Sequence, residues 1–63
     1  MKVKDLKELW NSNKEVRIYC DNGDLFLGDL QDLDDVKILN MSIEGIYDGI
    51  YYENRNDIDI WVI

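Results

Sequence analysis

The feature that most constrains this fold is a pair of apolar runs on either side of Asn22-Gly23. Residues 15–20 alternate apolar and polar side chains, and residues 25–30 are apolar on both sides until Gly28. Asn-Gly between two such runs is the strongest short hairpin signal, and it predicts a type I′ turn with positive φ at both central residues. The chain is therefore expected to contain an antiparallel hairpin in its first half.

The small size of the chain limits how it can be stabilised. It has 63 residues, one cysteine (Cys20) and no histidine, so an internal disulfide and an imidazole metal site are both excluded. A domain of about 60 residues buries only about 60% of the surface that its unfolded chain exposes. It usually needs further stabilisation by disulfides, a metal ion or a partner subunit. We therefore expect a single domain over residues 1–63 that is stabilised by association with a second copy.

The segments before and after the hairpin predict a short helix, an acidic loop and a stretch whose secondary structure is ambiguous. Val3, Leu6, Leu9 and Trp10 follow helical spacing and predict a short helix over residues 3–11. Residues 31–35 form an acidic loop. Residues 36–43 fit either a strand with a slip or one helical turn, and we favour the strand.

The last third of the chain predicts two strands, over residues 44–52 and 57–63, joined by a polar turn. Gly45 and Gly49 interrupt the first strand and indicate a bulge or a close backbone crossing. The second strand places one apolar set on one face and a mixed set on the other. These sets are Ile58, Ile60 and Val62, and then Asp57, Asp59, Trp61 and Ile63.

These elements predict an α+β fold in which a short N-terminal helix packs on an antiparallel sheet of four to five strands. A small SH3-like or OB-like barrel is the alternative. No linker or repeat divides the chain, and no apolar run approaches the length of a membrane span. The amphipathic N-terminus lacks the apolar region of a signal peptide, so we expect a cytoplasmic protein that does not bind membranes.

Charge is distributed unevenly along the chain. Five basic and three acidic residues give residues 1–19 a formal charge of +2, whereas two basic and eleven acidic residues give residues 20–63 a charge of −9. This balance excludes direct nucleic-acid binding through a basic footprint. The acids are densest within twelve residues and form either a solvated loop or a surface for a basic protein partner: Asp24, Asp29, Asp32, Asp34 and Asp35.

We expect no catalytic residue, no metal site and no cofactor. The EF-hand spacing fails at every glycine, and the phosphate-binding glycine patterns are absent. A chain this short has little room for the deep pocket in which paired carboxylates acquire different pKa values. Cys20 has no neighbouring base in the sequence and is interpreted as a small apolar residue in a strand.

The first half of the chain resembles small acidic phage-encoded anti-CRISPR and anti-restriction proteins in size, acidity and layout. The resemblance covers the opening VKDLKELW, the hairpin EVRIYCDNGDLFLG and the aspartate-rich stretch to Asp35. It transfers no functional residue. It implies an inhibitor that occupies the basic nucleic-acid-binding groove of a host defence enzyme. A lack of Ala and Pro beside abundant Ile, Asn and Lys is typical of a low-GC bacterium or its phage.

Two other functions remain open from the sequence. One is a structural or adaptor subunit of a bacterial or phage assembly, and the other is a ligand-binding sponge or a minimal enzyme formed at a subunit interface. Trp61, Ile63 and Tyr51 are the predicted oligomer interface, because large apolar groups on a terminal edge strand need cover.

Because these apolar side chains need cover, we predict that the chain forms a homodimer. Sedimentation or light scattering at high protein concentration measures the mass directly. A mass of 7.5 kDa at every concentration would exclude self-association.

Overall fold

Over the part of the chain that the structure describes, a four-stranded mixed sheet packs with two short helices. A computed structural model describes residues 1–48 and 57–63. In chain order the elements are α1 (Val3–Leu9), β1 (Glu15–Cys20), β2 (Gly23–Gly28), a 3₁₀ turn (Leu30–Asp32), α2 (Val36–Leu39), β3 (Ile43–Asp48) and β4 (Asp57–Val62). The predicted α+β class is confirmed.

The strand order is β2-β1-β4-β3, with antiparallel pairs at both sides and a parallel pair, β1 with β4, in the centre. The expectation of a purely antiparallel sheet is therefore wrong. The parallel register sets Val16 beside Ile58 and Ile18 beside Ile60, so that the apolar faces of both strands meet on one side. β2 and β3 are the edges of an open sheet in the described part of the chain, not of a closed barrel.

The hairpin between β1 and β2 is present, but its turn differs from the predicted type. Gly23 has φ +121°, but no described residue other than glycine has positive φ, so Asn22 and Gly23 do not form the predicted type I′ turn. Positive φ brings the Cβ of an ordinary residue too close to the backbone, and glycine avoids this cost. The register shift at Ile18/Tyr19 inserts Leu25 as a bulge next to this turn.

Residues 36–39 form a helix, so the predicted strand over residues 36–43 is wrong at its start. The Asp35 carboxylate accepts hydrogen bonds from the amides of Lys37 and Ile38, at 2.9 and 3.4 Å, and caps the helix. This turn sets Ile38 against the core and leaves Val36 exposed. A helical turn is favoured over a strand at residues 36–39 because it buries one side of the segment without requiring a strand partner.

The other predicted elements agree with the structure over the described residues. α1 ends at Leu9, two residues earlier than predicted, and its first turn is held by the Lys2 amide, which donates to the Asp5 carboxylate at 3.0 Å. β3 begins at Ile43, and a register shift before Gly45 confirms the predicted irregularity. Gly49 and the predicted turn at residues 53–56 lie outside the described residues.

One apolar core lies between the sheet and the helical segments. Its buried members come from the first helix, both central strands and the loop after β2: Val3, Val16, Ile18, Leu30, Leu33, Ile60 and Val62. Partly buried side chains such as Leu6, Trp10 and Phe26 surround them. The loop after β2 thus belongs to the core through Leu30 and Leu33, although the sequence marks it only as acidic.

We predict that Leu30→Ala lowers the free energy of unfolding by about 2–5 kcal/mol, because it leaves a cavity under the acidic loop. Leu9→Ala is the matched control, since the Leu9 side chain is 72% exposed and its loss should change stability by less than about 0.5 kcal/mol. Urea unfolding followed by tryptophan fluorescence measures both. Equal losses in the two variants would contradict the anchoring role of Leu30.

Candidate functional site

The five aspartates predicted to bind a partner are all exposed, but they do not form one group. Asp24 lies in β2, where its carboxylate pairs with the Arg17 guanidinium at 2.7 Å. The other four lie in residues 29–35, which we call the acidic segment, between β2 and α2. Of the five aspartates, Asp24 is therefore paired with a cation, and the other four lie together in the acidic segment.

The acidic segment is anchored to the body of the protein rather than suspended in solvent. Leu30 and Leu33 are 0% and 2% exposed, so the segment places two apolar side chains in the core. The Lys7 ammonium donates to the Leu33 carbonyl at 2.7 Å. The side-chain amide of Gln31 donates to the carbonyls of Lys7 and Trp10, both at 3.0 Å. These contacts fix the segment against the end of α1.

Two of the four carboxylates in the acidic segment have structural roles. The Asp29 carboxylate accepts from the backbone N–H of Gln31 at 3.0 Å, and the Asp35 carboxylate caps α2. The carboxylates of Asp32 and Asp34 are exposed and make no hydrogen bond or ion pair with any residue in the described ranges. The segment thus presents two unengaged carboxylates from a fixed backbone. The carboxylates of Asp29 and Asp35 are also exposed, although each accepts a hydrogen bond.

A second charged group lies on the other face of the sheet and was missed by sequence reasoning. Parallel pairing sets Arg17 directly opposite Asp59 on β4. The Arg17 guanidinium lies 3.8 Å from the Asp59 carboxylate and 4.3 Å from the centroid of the Tyr19 ring. Asp59 is 0% exposed and Asp57, two residues before it on the same face, is 4% exposed.

Burial raises the pKa of Asp59. The Arg17 guanidinium lowers the same pKa, and the negative charges of Asp57 and Asp24 raise it again. Burial dominates because a carboxylate that leaves water loses hydration which one guanidinium at 3.8 Å restores only in part. In the sequence, alternation places Asp57 and Asp59 on the same strand face as Trp61. Two acids that share a strand face with a large aromatic side chain were the sequence signal from which this buried group could have been predicted.

The carboxylate oxygens of Asp57 and Asp59 are buried and accept no hydrogen bond from the described residues. The same ranges hold no group of three His, Cys, Asp or Glu side chains that could bind a metal ion. Cys20 is a free, half-buried thiol that packs on the core. Arg17 and Asp59 thus form a contact across the pair of β1 with β4.

The predicted oligomer interface rested on an incorrect position for the last strand. β4 is central and is paired on both sides, by β1 and β3, so it presents no free edge. Trp61 is half-buried and Ile63 is 63% exposed. Tyr51 lies outside the described residues, and an interface at these residues stays a prediction.

No protein-family model matches this chain, and the searches of curated proteins and of solved structures give no match either. Over residues 1–48 and 57–63, no helix has the length and apolar character needed to cross a membrane. Function must therefore be inferred from the geometry of the chain itself.

We predict that Asp59→Asn stabilises the protein increasingly as pH rises. A pKa raised by folding means that the native state binds this proton more tightly than the unfolded chain. The stability that the group contributes is therefore fully present below its ordinary pKa and is lost as pH rises through the raised value. The amide cannot ionise and avoids this loss. Urea unfolding across acidic to neutral pH measures the difference in unfolding free energy between variant and wild type.

Asp34→Asn is the control, because it removes one negative charge from an exposed site in the acidic segment. Its stability relative to wild type should change less with pH than that of Asp59→Asn. The same pH dependence in both variants would show that net charge, and not burial of Asp59, is responsible.

Proposed function

We propose that this chain is a protein-binding module that presents the acidic segment to a basic surface of a partner protein. The observation that carries the proposal is that Leu30 and Leu33 hold the segment in place while Asp32 and Asp34 remain exposed and unengaged. A solvated loop that served only solubility would not need two buried anchors. A fixed backbone lowers the ordering cost that binding would otherwise carry.

The chemistry of the segment suggests the class of partner. Carboxylates held at fixed spacing imitate the phosphates of a nucleic acid, and the strong negative charge of the body accelerates association with a basic groove. The proposal is therefore an inhibitor that occupies the nucleic-acid-binding groove of an enzyme, as the resemblance to phage-encoded inhibitors of host defence implies. A cytoplasmic location accords with such a partner and is part of the proposal.

A structural or adaptor subunit that assembles with copies of itself is the alternative. The exposed apolar side chains of Met1 and Ile63 favour it, because association with a second copy covers such groups. The Met1 carbonyl accepts from the Ile43 amide at 2.9 Å, and Ile63 exchanges two hydrogen bonds with Ser42. Met1 and Ile63 thus flank residues 42–43 from opposite sides, and each carries an exposed apolar side chain, 65% and 63% exposed. The ligand-binding sponge stays a prediction that no described residue favours.

We predict that replacing Asp32, Asp34 and Asp35 together by Asn weakens partner binding by about tenfold or more, mainly through slower association. Asn retains the helix-capping role of Asp35, so the fold should persist. The measurement is capture from a low-GC bacterial lysate on the immobilised chain. Bound protein is released with about 0.5 M salt, which screens charge pairs, or with excess duplex DNA, which competes for the same groove.

The matched control replaces three exposed acids elsewhere, Glu8→Gln, Glu15→Gln and Glu44→Gln. Both triple variants change the formal net charge from −7 to −4, so that only the location of the lost charge differs. Equal capture by the two variants would place the binding surface outside the acidic segment. Captured protein that duplex DNA fails to release would contradict a nucleic-acid-binding groove as the target. A stable oligomer with no captured protein would support the alternative.

A further inference from the structure

The two edges of the sheet differ in how well they are covered. On β3, the Ile43 amide donates to the Met1 carbonyl at 2.9 Å, and Lys2 forms a bridge with Ser42. These contacts occupy the start of that edge. β2 has β1 as its strand neighbour on one side, and on the other side no backbone hydrogen bond reaches it from the described ranges. The outward N–H and C=O groups of β2 are thus available for pairing.

Protein sheets usually protect such an edge with lysine, proline or a strong twist. β2 contains neither lysine nor proline, and its one charged side chain, Asp24, pairs with Arg17 across the strand pair. The bulge at Leu25 disturbs only the turn end, because residues 26–28 keep regular pairing with β1. Leu27, in the middle of that regular stretch, is 45% exposed. Residues 26–28 therefore form a short apolar edge that is open to another strand.

This edge continues directly into the acidic segment. Asp29 follows the last residue of β2, and Asp21 lies in the turn at the opposite end, so exposed carboxylates flank the apolar stretch on both sides. A second copy of this chain would bring its own flanking aspartates against them, at a formal charge of −7 on each molecule. An extended segment with apolar and basic residues in alternation fits both features.

We propose that β2 is a docking edge to which a basic partner adds an extended strand beside residues 26–28, with its Lys or Arg side chains against the acidic segment. The inference rests on the proposed function and names the way in which the partner is held. An added strand lies about 4.8 Å from its neighbour and forms main-chain hydrogen bonds that give affinity, while alternate side chains give specificity. Here Leu27 supplies the apolar contact and the aspartates select for positive charge.

The test uses the wild-type chain, labelled with ¹⁵N, and an octapeptide of alternating lysine and valine with blocked ends. Amide shifts and hydrogen exchange are measured during titration. We expect the outward amides of β2 to exchange at least about tenfold more slowly at saturation, because they become hydrogen-bonded. A peptide of the same sequence with N-methylated valines keeps its charge but lacks donors on one side. It should bind about tenfold or more weakly, equivalent to about 1.4 kcal/mol.

A pair of variants tests the location of the edge. Leu27→Lys places a positive charge on β2, and Ile46→Lys places the same charge on β3 at a residue of similar exposure, 47% against 45%. We expect the first to weaken peptide binding by about tenfold or more and the second by much less. Equal effects, or slowed exchange in β3, would overturn the assignment of the edge. The ¹⁵N spectra show directly whether both variants remain folded.

The outcomes separate this inference from the proposed function. Peptide binding that shifts the acidic segment, leaves exchange in β2 unchanged and tolerates N-methylation would overturn strand addition while leaving the acidic binding surface in place. A lack of any shift in the acidic segment would overturn both. Slowed exchange in β2 that is equally strong with an octapeptide of alternating glutamate and valine would contradict the selection for a basic strand.

Discussion

The parallel pairing of β1 with β4 is the interaction on which the rest of the structure depends. It joins the N-terminal hairpin to the end of the chain and places both strands in the centre of the sheet. Ile18 and Ile60, both fully buried, meet through this register. The same register sets Arg17 opposite Asp59 on the reverse face. A single pairing therefore creates the apolar core on one face and a buried ionic contact on the other.

Burying the carboxylates of this ionic contact costs free energy, which other contacts in the fold must offset. Burying Asp57 and Asp59 removes two carboxylates from water, and one guanidinium at 3.8 Å from Asp59 compensates incompletely. A buried ion pair by itself is weak evidence that a fold is stable. It does favour the observed register of β4 over a register shifted by one residue. A slip of one residue would turn Asp57 and Asp59 into the apolar core and turn Ile58 and Ile60 out of it. The charges thus help to specify which residues of β4 face the core.

The acidic segment shows why a charged stretch need not be a loose loop. Its leucines enter the same core that β1 and β4 build, and Lys7 and Gln31 join its backbone to α1. The +2 charge of the first nineteen residues therefore lies partly against the most acidic part of the body. The open edge of β2 leads directly into this segment, so the surface with free backbone groups and the surface with free carboxylates are continuous along the chain.

Local pattern alone determined a good part of this protein. Period-two alternation defined β1 and the two faces of β4, helical spacing defined α1, and Asn22-Gly23 marked the hairpin, because each signal arises from neighbours in the sequence. Only the tertiary structure decided that β1 and β4 run parallel, that β4 is central and that residues 36–39 are helical. It also decided that Asp24 pairs with Arg17 whereas Asp32 and Asp34 remain free. These features depend on contacts between distant residues, and their free energy is set by burial that no local window of sequence contains.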